Sequence, residues 1–141
     1  MRASRITLLA ALGALALAAC GRSNEQPAAP PPAAALDVKR PLNALGTEPF
    51  WSLKIRPEGL SYSDVEIPMI EAPDPVFEPE GAGASWTVAV QDGRRLAVHL
   101  EAKVCSGLAG LSYPFTAQLT LGTKAMTGCA AYADEMPKPG G

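Results

Sequence analysis

The sequence predicts an all-β domain, a small antiparallel barrel or sandwich. Three observations carry this expectation. Several runs alternate apolar and polar residues with a period of two, two hairpin turns between them can be read directly, and no window shows a helical period of similar strength.

The first alternation sets Trp51, Leu53 and Ile55 against Ser52, Lys54 and Arg56, the pattern of a strand buried on one face. Glu58-Gly59 predicts a turn, and Leu60-Ser61-Tyr62-Ser63 begins a second strand. Trp86, Val88 and Val90 share one side of a third strand, and Leu96, Val98 and Leu100 one side of a fourth. A two-residue turn at Asp92-Gly93 would set Val88 against Ala97 and Val90 against Arg95, dividing the apolar faces. A three-residue loop, Gln91-Asp92-Gly93 with Gly93 left-handed, sets Val88 against Leu96 and Trp86 against Val98 and keeps one face apolar. That register is expected.

A last hairpin follows. Tyr113, Phe115, Ala117, Leu119 and Leu121 alternate with Thr116, Gln118 and Thr120, and Gly122-Thr123 suits a II′ turn, which takes glycine first. The pairing places Leu119 opposite Met126, Phe115 opposite Ala130, and Cys129 opposite Thr116 on the other face. Residues 66–85 resist the pattern. They hold four prolines (68, 73, 75, 79), five acids (66, 71, 74, 78, 80) and no Lys or Arg, and predict one long functional or disordered loop.

The N-terminus has the layout of an export signal: Arg2 and Arg5, then an uncharged stretch over residues 6–19 that is too short for a spanning helix of roughly 20 residues. It ends in Leu17-Ala18-Ala19-Cys20, which resembles the lipobox of bacterial lipoproteins. The resemblance implies cleavage before Cys20 and acylation of its thiol. Gly21, rather than Asp, resembles the outer-membrane sorting pattern and implies a periplasm-facing anchor. The expected organisation is a signal peptide over 1–19, lipidated Cys20 with a Pro/Ala-rich linker over 20–40, an all-β domain over 41–133 and a loose tail over 134–141.

The formal net charge is −2, from 12 basic and 14 acidic residues. Removal of residues 1–19 takes Arg2 and Arg5, so 10 basic residues face 14 acidic ones and the charge becomes −4. A mildly acidic chain argues against nucleic acid as a partner and against electrostatic docking on anionic lipid, which leaves membrane attachment to the acyl chains. With Cys20 given to lipid, Cys105 and Cys129 remain as an even pair in an oxidising compartment, and a disulfide is expected. Two thiols and one histidine, without Cys-x-x-Cys spacing, suggest no metal site, and no cofactor is implied.

No catalytic constellation stands out. His99 alternates outward between Val98 and Leu100, and no serine has a nucleophile-elbow context. Glu48 is the more interesting side chain. Gly46-Thr47-Glu48-Pro49-Phe50-Trp51 places a carboxylate and two aromatics ahead of the first strand, and they either hold a ligand or plug an end of the sheet while Glu48 caps backbone N–H groups.

Together with Tyr113-Pro114-Phe115 and Gly128-Cys129-Ala130, that segment resembles a group of bacterial envelope lipoproteins of unassigned activity. The similarity spans residues 46–130. It implies an envelope location, supports the Cys105–Cys129 bridge, and marks Glu48, Phe50, Trp51 and Tyr113 as candidate ligand or partner contacts. The expected function is a non-enzymatic, membrane-anchored binding or accessory module whose partner is an envelope protein or a peptidoglycan-related ligand. One alternative is an inhibitor of cationic cell-wall hydrolases such as lysozyme, drawn by the acids of residues 66–85. Another is a hydrolase that pairs Glu48 with a second carboxylate such as Asp64.

Overall fold

The computed structural model describes residues 35–140. The expected signal peptide, Cys20 and most of the expected linker lie outside the described residues. The described residues form eleven strands: β1 (Leu42–Thr47), β2 (Phe50–Arg56), β3 (Gly59–Asp64), β4 (Ile70–Pro73), β5 (Val76–Glu80), β6 (Gly83–Ala89), β7 (Arg95–Glu101), β8 (Cys105–Ser106), β9 (Ser112–Tyr113), β10 (Phe115–Leu121) and β11 (Lys124–Tyr132). Nine of them make one antiparallel sheet in the order β4-β3-β2-β1-β11-β10-β7-β6-β5, and β8 and β9 pair as a separate small hairpin. The fold is therefore all-β, a curled half-barrel with one disulfide.

The curl is visible in side chains that meet across the concave face. Strands β3 and β11 are separated in the sheet by β2 and β1, yet Lys124 Nζ lies 3.2 Å from Asp64 Oδ2 and Tyr62 Oη 3.5 Å from Met126 Sδ. The enclosed space is a solid apolar core in which Leu42, Leu53, Leu60, Tyr62, Leu96, Val98, Leu100, Leu119 and Leu121 are each nearly or fully buried. Period-two patterning builds this core, because each strand turns one row of side chains inward.

Both derived hairpins form. Trp86 pairs with Val98 and Val88 with Leu96, the loop closes through the Val90 N–H donating to the Arg94 carbonyl at 2.9 Å, and Gly93 is left-handed at φ +81°. Leu119 pairs with Met126, Phe115 with Ala130 and Thr116 with Cys129. Gly122 has φ +62° while Thr123 does not share a positive φ, as a II′ turn requires.

Three expectations are corrected. The turn after β2 is Pro57-Glu58, because Gly59 already pairs with Arg56 as the first residue of β3. The segment from Leu42 to Thr47 is a full strand at the centre of the sheet, between β2 and β11. Its signal was weak, since its inward row is Leu42, Ala44 and Gly46, two of them small. Residues 66–85 are not one long loop. They contain β4, β5 and the start of β6, the first two forming the two edges of the sheet. Proline is tolerated on an edge because no neighbouring strand needs its missing N–H, so Pro73 and Pro79 blunt both edges against further pairing.

The packed region also runs past 41–133 on both sides. Leu36 and Val38 pack against the core, and the Asp37 N–H donates to Tyr132 Oη at 2.8 Å. Arg40 stacks over the Tyr132 ring, 3.7 Å from its centroid, and pairs with Asp134 at 2.8 Å and Glu135 at 2.7 Å.

Strand β11 ends in four consecutive buried residues, Cys129 to Tyr132, which breaks the alternation. Ala130 and Tyr132 face the core. Cys129 and Ala131 face outward, beneath the β8–β9 hairpin, in a second small cluster with Tyr113, Leu45, Leu111 and Met136. The Cys105–Cys129 disulfide fixes the hairpin there. It closes a sequence separation of 24 residues, for which chain entropy gives about 3 kcal/mol. Replacing both cysteines with serine is expected to lower the unfolding free energy by about that amount in urea titration, while replacing Thr120 on the open part of the outer face should change it by less than about 0.5 kcal/mol.

Candidate functional site

The β8–β9 hairpin covers only part of the outer face. Beside it lies a groove of about 490 Å³, floored by outward residues of β1, β10 and β11 and walled by the segment over residues 105–108. Thr116, Gln118 and Thr127 project from the strands, Glu48 and Thr47 close the end by the β1–β2 turn, and Glu101, Lys103 and Ser106 line the hairpin side. Lys103 makes no ion pair with Glu48 or Glu101 among the described residues. The groove thus offers carboxylate, ammonium, amide and hydroxyl groups that the fold itself does not pair with one another.

The structure divides the four residues marked from sequence. Glu48 is exposed at the rim of the groove and caps no backbone N–H among the described residues. Phe50 is 59% exposed and, with Val65 at 72%, flanks a separate shallow depression. Trp51 and Tyr113 are buried, at 4% and 3% exposure, so their role is packing rather than direct contact. Tyr113 covers Gly107 and the disulfide, where a Cβ on Gly107 would come within 2.6 Å of the Tyr113 ring.

Trp51 lies inward over a gap made by two glycines. Gly46 is its cross-strand partner, and Gly128 lies on β11, two strands from Trp51. A Cβ on Gly46 would fall 2.0 Å from Trp51 Nε1, and one on Gly128 would fall 2.8 Å from the indole ring and 2.1 Å from the Leu45 carbonyl oxygen. Gly46 is required chiefly by the indole ring, and Gly128 by the Leu45 carbonyl together with that ring. The indole N–H is buried with no hydrogen-bond partner among the described residues.

Asp64 lies elsewhere and is committed to the fold. It shares the shallow depression with Phe50 and Trp51 rather than the groove with Glu48. Its side chain is fully buried and accepts hydrogen bonds from the Glu66 N–H (2.8 Å), the Ile67 N–H (2.7 Å), Tyr62 Oη (2.7 Å) and Lys124 Nζ (3.2 Å). Burial pushes this carboxyl upward, but the hydrogen bonds from Tyr62, the two amides and Lys124 outweigh it and hold the pKa down at about 2. Burial, and then the adjacent Asp64 carboxylate, keep the Tyr62 phenol well above its ordinary value.

Sequence alternation placed His99 outward, and it missed the company that the sheet gives it. Ser85 is directly opposite on β6, and Glu80 reaches over from β5. His99 Nδ1 lies 3.1 Å from Ser85 Oγ and 3.1 Å from Glu80 Oε2, while Ser85 Oγ donates to Glu80 Oε1 at 2.5 Å. With its proton given to Glu80, the hydroxyl is not presented to the imidazole as a nucleophile would be. The cluster ties the edge strand β5 to the sheet.

The folded state holds the Asp64 proton less tightly than the unfolded chain does. Its contribution to stability is therefore complete above an ordinary carboxyl pKa near 3.8 and is lost as pH falls through about 2. Asp64→Asn is expected to cost about 1–3 kcal/mol at pH 7 and to flatten the stability profile between pH 4 and 2, read by urea denaturation across that range. An unchanged profile would show that Asp64 does not carry this network. No family model, curated protein or solved structure matches this chain.

Proposed function

We propose that the chain is a lipid-anchored envelope protein whose disulfide-stapled half-barrel acts as a non-enzymatic binding module. Acylated Cys20 holds it at the membrane, probing outward on the Pro/Ala-rich linker, and the groove beside the β8–β9 hairpin receives the partner. One observation carries the reading. The interior is filled by core side chains, so the capacity to bind falls to the outer groove, where Glu48, Glu101, Lys103, Gln118 and the neighbouring hydroxyls are left unpaired with one another. Such a lining suits a ligand rich in hydrogen-bonding groups with charges of both signs, as in a peptidoglycan-derived glycopeptide or a polar loop of an envelope protein.

A second reading is favoured by a different feature. The acids of residues 66–85 lie largely on exposed edge strands, with Glu71, Glu78 and Glu80 open to solvent and no Lys or Arg among them. This supports docking of a cationic cell-wall hydrolase such as lysozyme. The protein would then slow lysozyme-driven lysis, more at low salt than at high, and unchanged lysis at both would remove this reading.

The principal reading has two direct tests. Mass spectrometry of protein from its host is expected to find a mature start at Cys20 with added acyl mass, and an intact Met1 would overturn the anchor. A photocrosslinking side chain at Gln118, inside the groove, is expected to give an envelope adduct that the same probe at Thr120, outside it on the same strand face, does not. Equal yields from the two positions, or no adduct from either, would overturn the groove as the binding site.

A further inference from the structure

The curled sheet does not close where its two edges, β4 and β5, diverge from the Asp74-Pro75 link. Beside this seam lies a second pocket, of about 350 Å³, remote in the sequence from the groove. It is walled by Arg56 at the end of β2, Asp74, Phe77 on β5, Trp86 on β6, and Ile55 and Val38.

Its chemistry is unlike that of the groove. Two opposite charges, Arg56 and Asp74, line one pocket, yet they form no ion pair with each other or with any other charged residue among the described ones. The Arg56 guanidinium is held by three hydrogen bonds. Nη1 donates to the Leu42 carbonyl at 2.7 Å and to the Ile55 carbonyl at 2.9 Å, and Nη2 donates to Asn43 Oδ1 at 2.9 Å. Three of its five N–H groups are thus used, and Nε–H and one Nη2–H remain as donors for an anion. Asp74 sits between Pro73 and Pro75 in the left-handed region, at φ +53°, which a residue ahead of proline rarely adopts. Its carboxylate is exposed. The apolar wall is aromatic, with Phe77 and Trp86 tilted at 50° and their centroids 5.6 Å apart, and Phe77 is 41% exposed.

We propose that this seam binds a zwitterionic amino acid or short peptide bearing an apolar side chain. The ligand's carboxylate accepts from the two N–H groups of Arg56 that the fold leaves unused. Its ammonium lies between Asp74 and the open face of Phe77, where charge and ring quadrupole both attract a cation. Its side chain rests on Trp86, Ile55 and Val38. Neither charge on the protein then needs a partner from the protein itself, which accounts for two opposite charges left apart on one wall.

The two tryptophans supply the test and its control, because Trp86 lines this pocket and Trp51 does not. The full chain, ¹⁵N-labelled and purified from membranes in detergent, gives one indole N–H signal from each. Titration with L-phenylalanine, and in a separate arm with alanyl-phenylalanine, is expected to move the Trp86 signal saturably and leave Trp51 in place. The tighter of the two arms tells whether the site takes a free amino acid or a peptide. N-acetyl-phenylalanine and phenylalaninamide, each lacking one charge, are expected to bind at least about tenfold more weakly. Asp74→Asn, at an exposed position, is expected to weaken the zwitterions by a similar factor while leaving N-acetyl-phenylalanine unaffected. Arg56→Lys should do the reverse, weakening the zwitterions and sparing phenylalaninamide. Absence of a saturable Trp86 shift with either zwitterion, equal binding of the singly charged analogues, or joint movement of both indole signals would overturn the proposal. Because the groove shares no residue with this pocket, such a failure leaves the crosslinking result at Gln118 untouched.

Discussion

The Cys105–Cys129 bridge fastens a two-stranded hairpin across the outer face of strand β11, and much of the molecule is arranged around that attachment. A half-barrel of this size has one interior, and an ordinary outer face would be polar and flat. Here the hairpin gives β11 a second buried side, so Cys129 and Ala131 are covered outside while Ala130 and Tyr132 are covered inside. The same hairpin raises a wall on an otherwise open sheet. Without it the outward residues Thr116, Gln118 and Thr127 would stand on an exposed surface rather than line a groove. One covalent constraint therefore both secures the hairpin and shapes the groove.

Inside the curl the governing fact is volume. Trp51 crosses β1 and β11 because Gly46 and Gly128 leave no side chains beneath it, and the indole fills that space. Dense packing of this kind leaves no room for a small molecule without displacing core side chains. Near the same rim, Tyr62, Asp64 and Lys124 supply a polar closure. The Asp64 carboxylate there is fully engaged by four donors, which explains how a charge can be buried at the edge of an apolar core. An interior sealed in this way moves the available chemistry to the outer groove and to the seam.

The seam has a different origin. Its strands β4 and β5 are short, carry prolines and bear acids, features that keep an edge from pairing with another chain. The two strands end the sheet and do not pair with each other. What remains is a gap with an aromatic floor, flanked by Arg56 and Asp74.

Much of this was legible in the chain alone. The all-β class, the two hairpin registers and the disulfide all followed from local rules: period-two alternation, the handedness of glycine in tight turns, and the pairing of cysteines outside the cytoplasm. Those rules act between near neighbours, or through residue type, and so need no coordinates. They failed where a neighbour distant in sequence decided the outcome. Strand β1 is central although its inward row shrinks to alanine and glycine, because Trp51 supplies the missing volume. Strands β4 and β5 form despite their prolines because each has only one partner to satisfy. Trp51 and Tyr113 are buried in packing, and Glu48 lies at the rim of a surface groove. Local pattern was enough to settle which faces are apolar and how the two glycine hairpins turn. That Trp51 fills the gap over two glycines, that Arg56 and Asp74 line one pocket, and that Ser85 and Glu80 meet His99 emerged from the folded arrangement, because these depend on packing and pairing among residues that no local pattern connects.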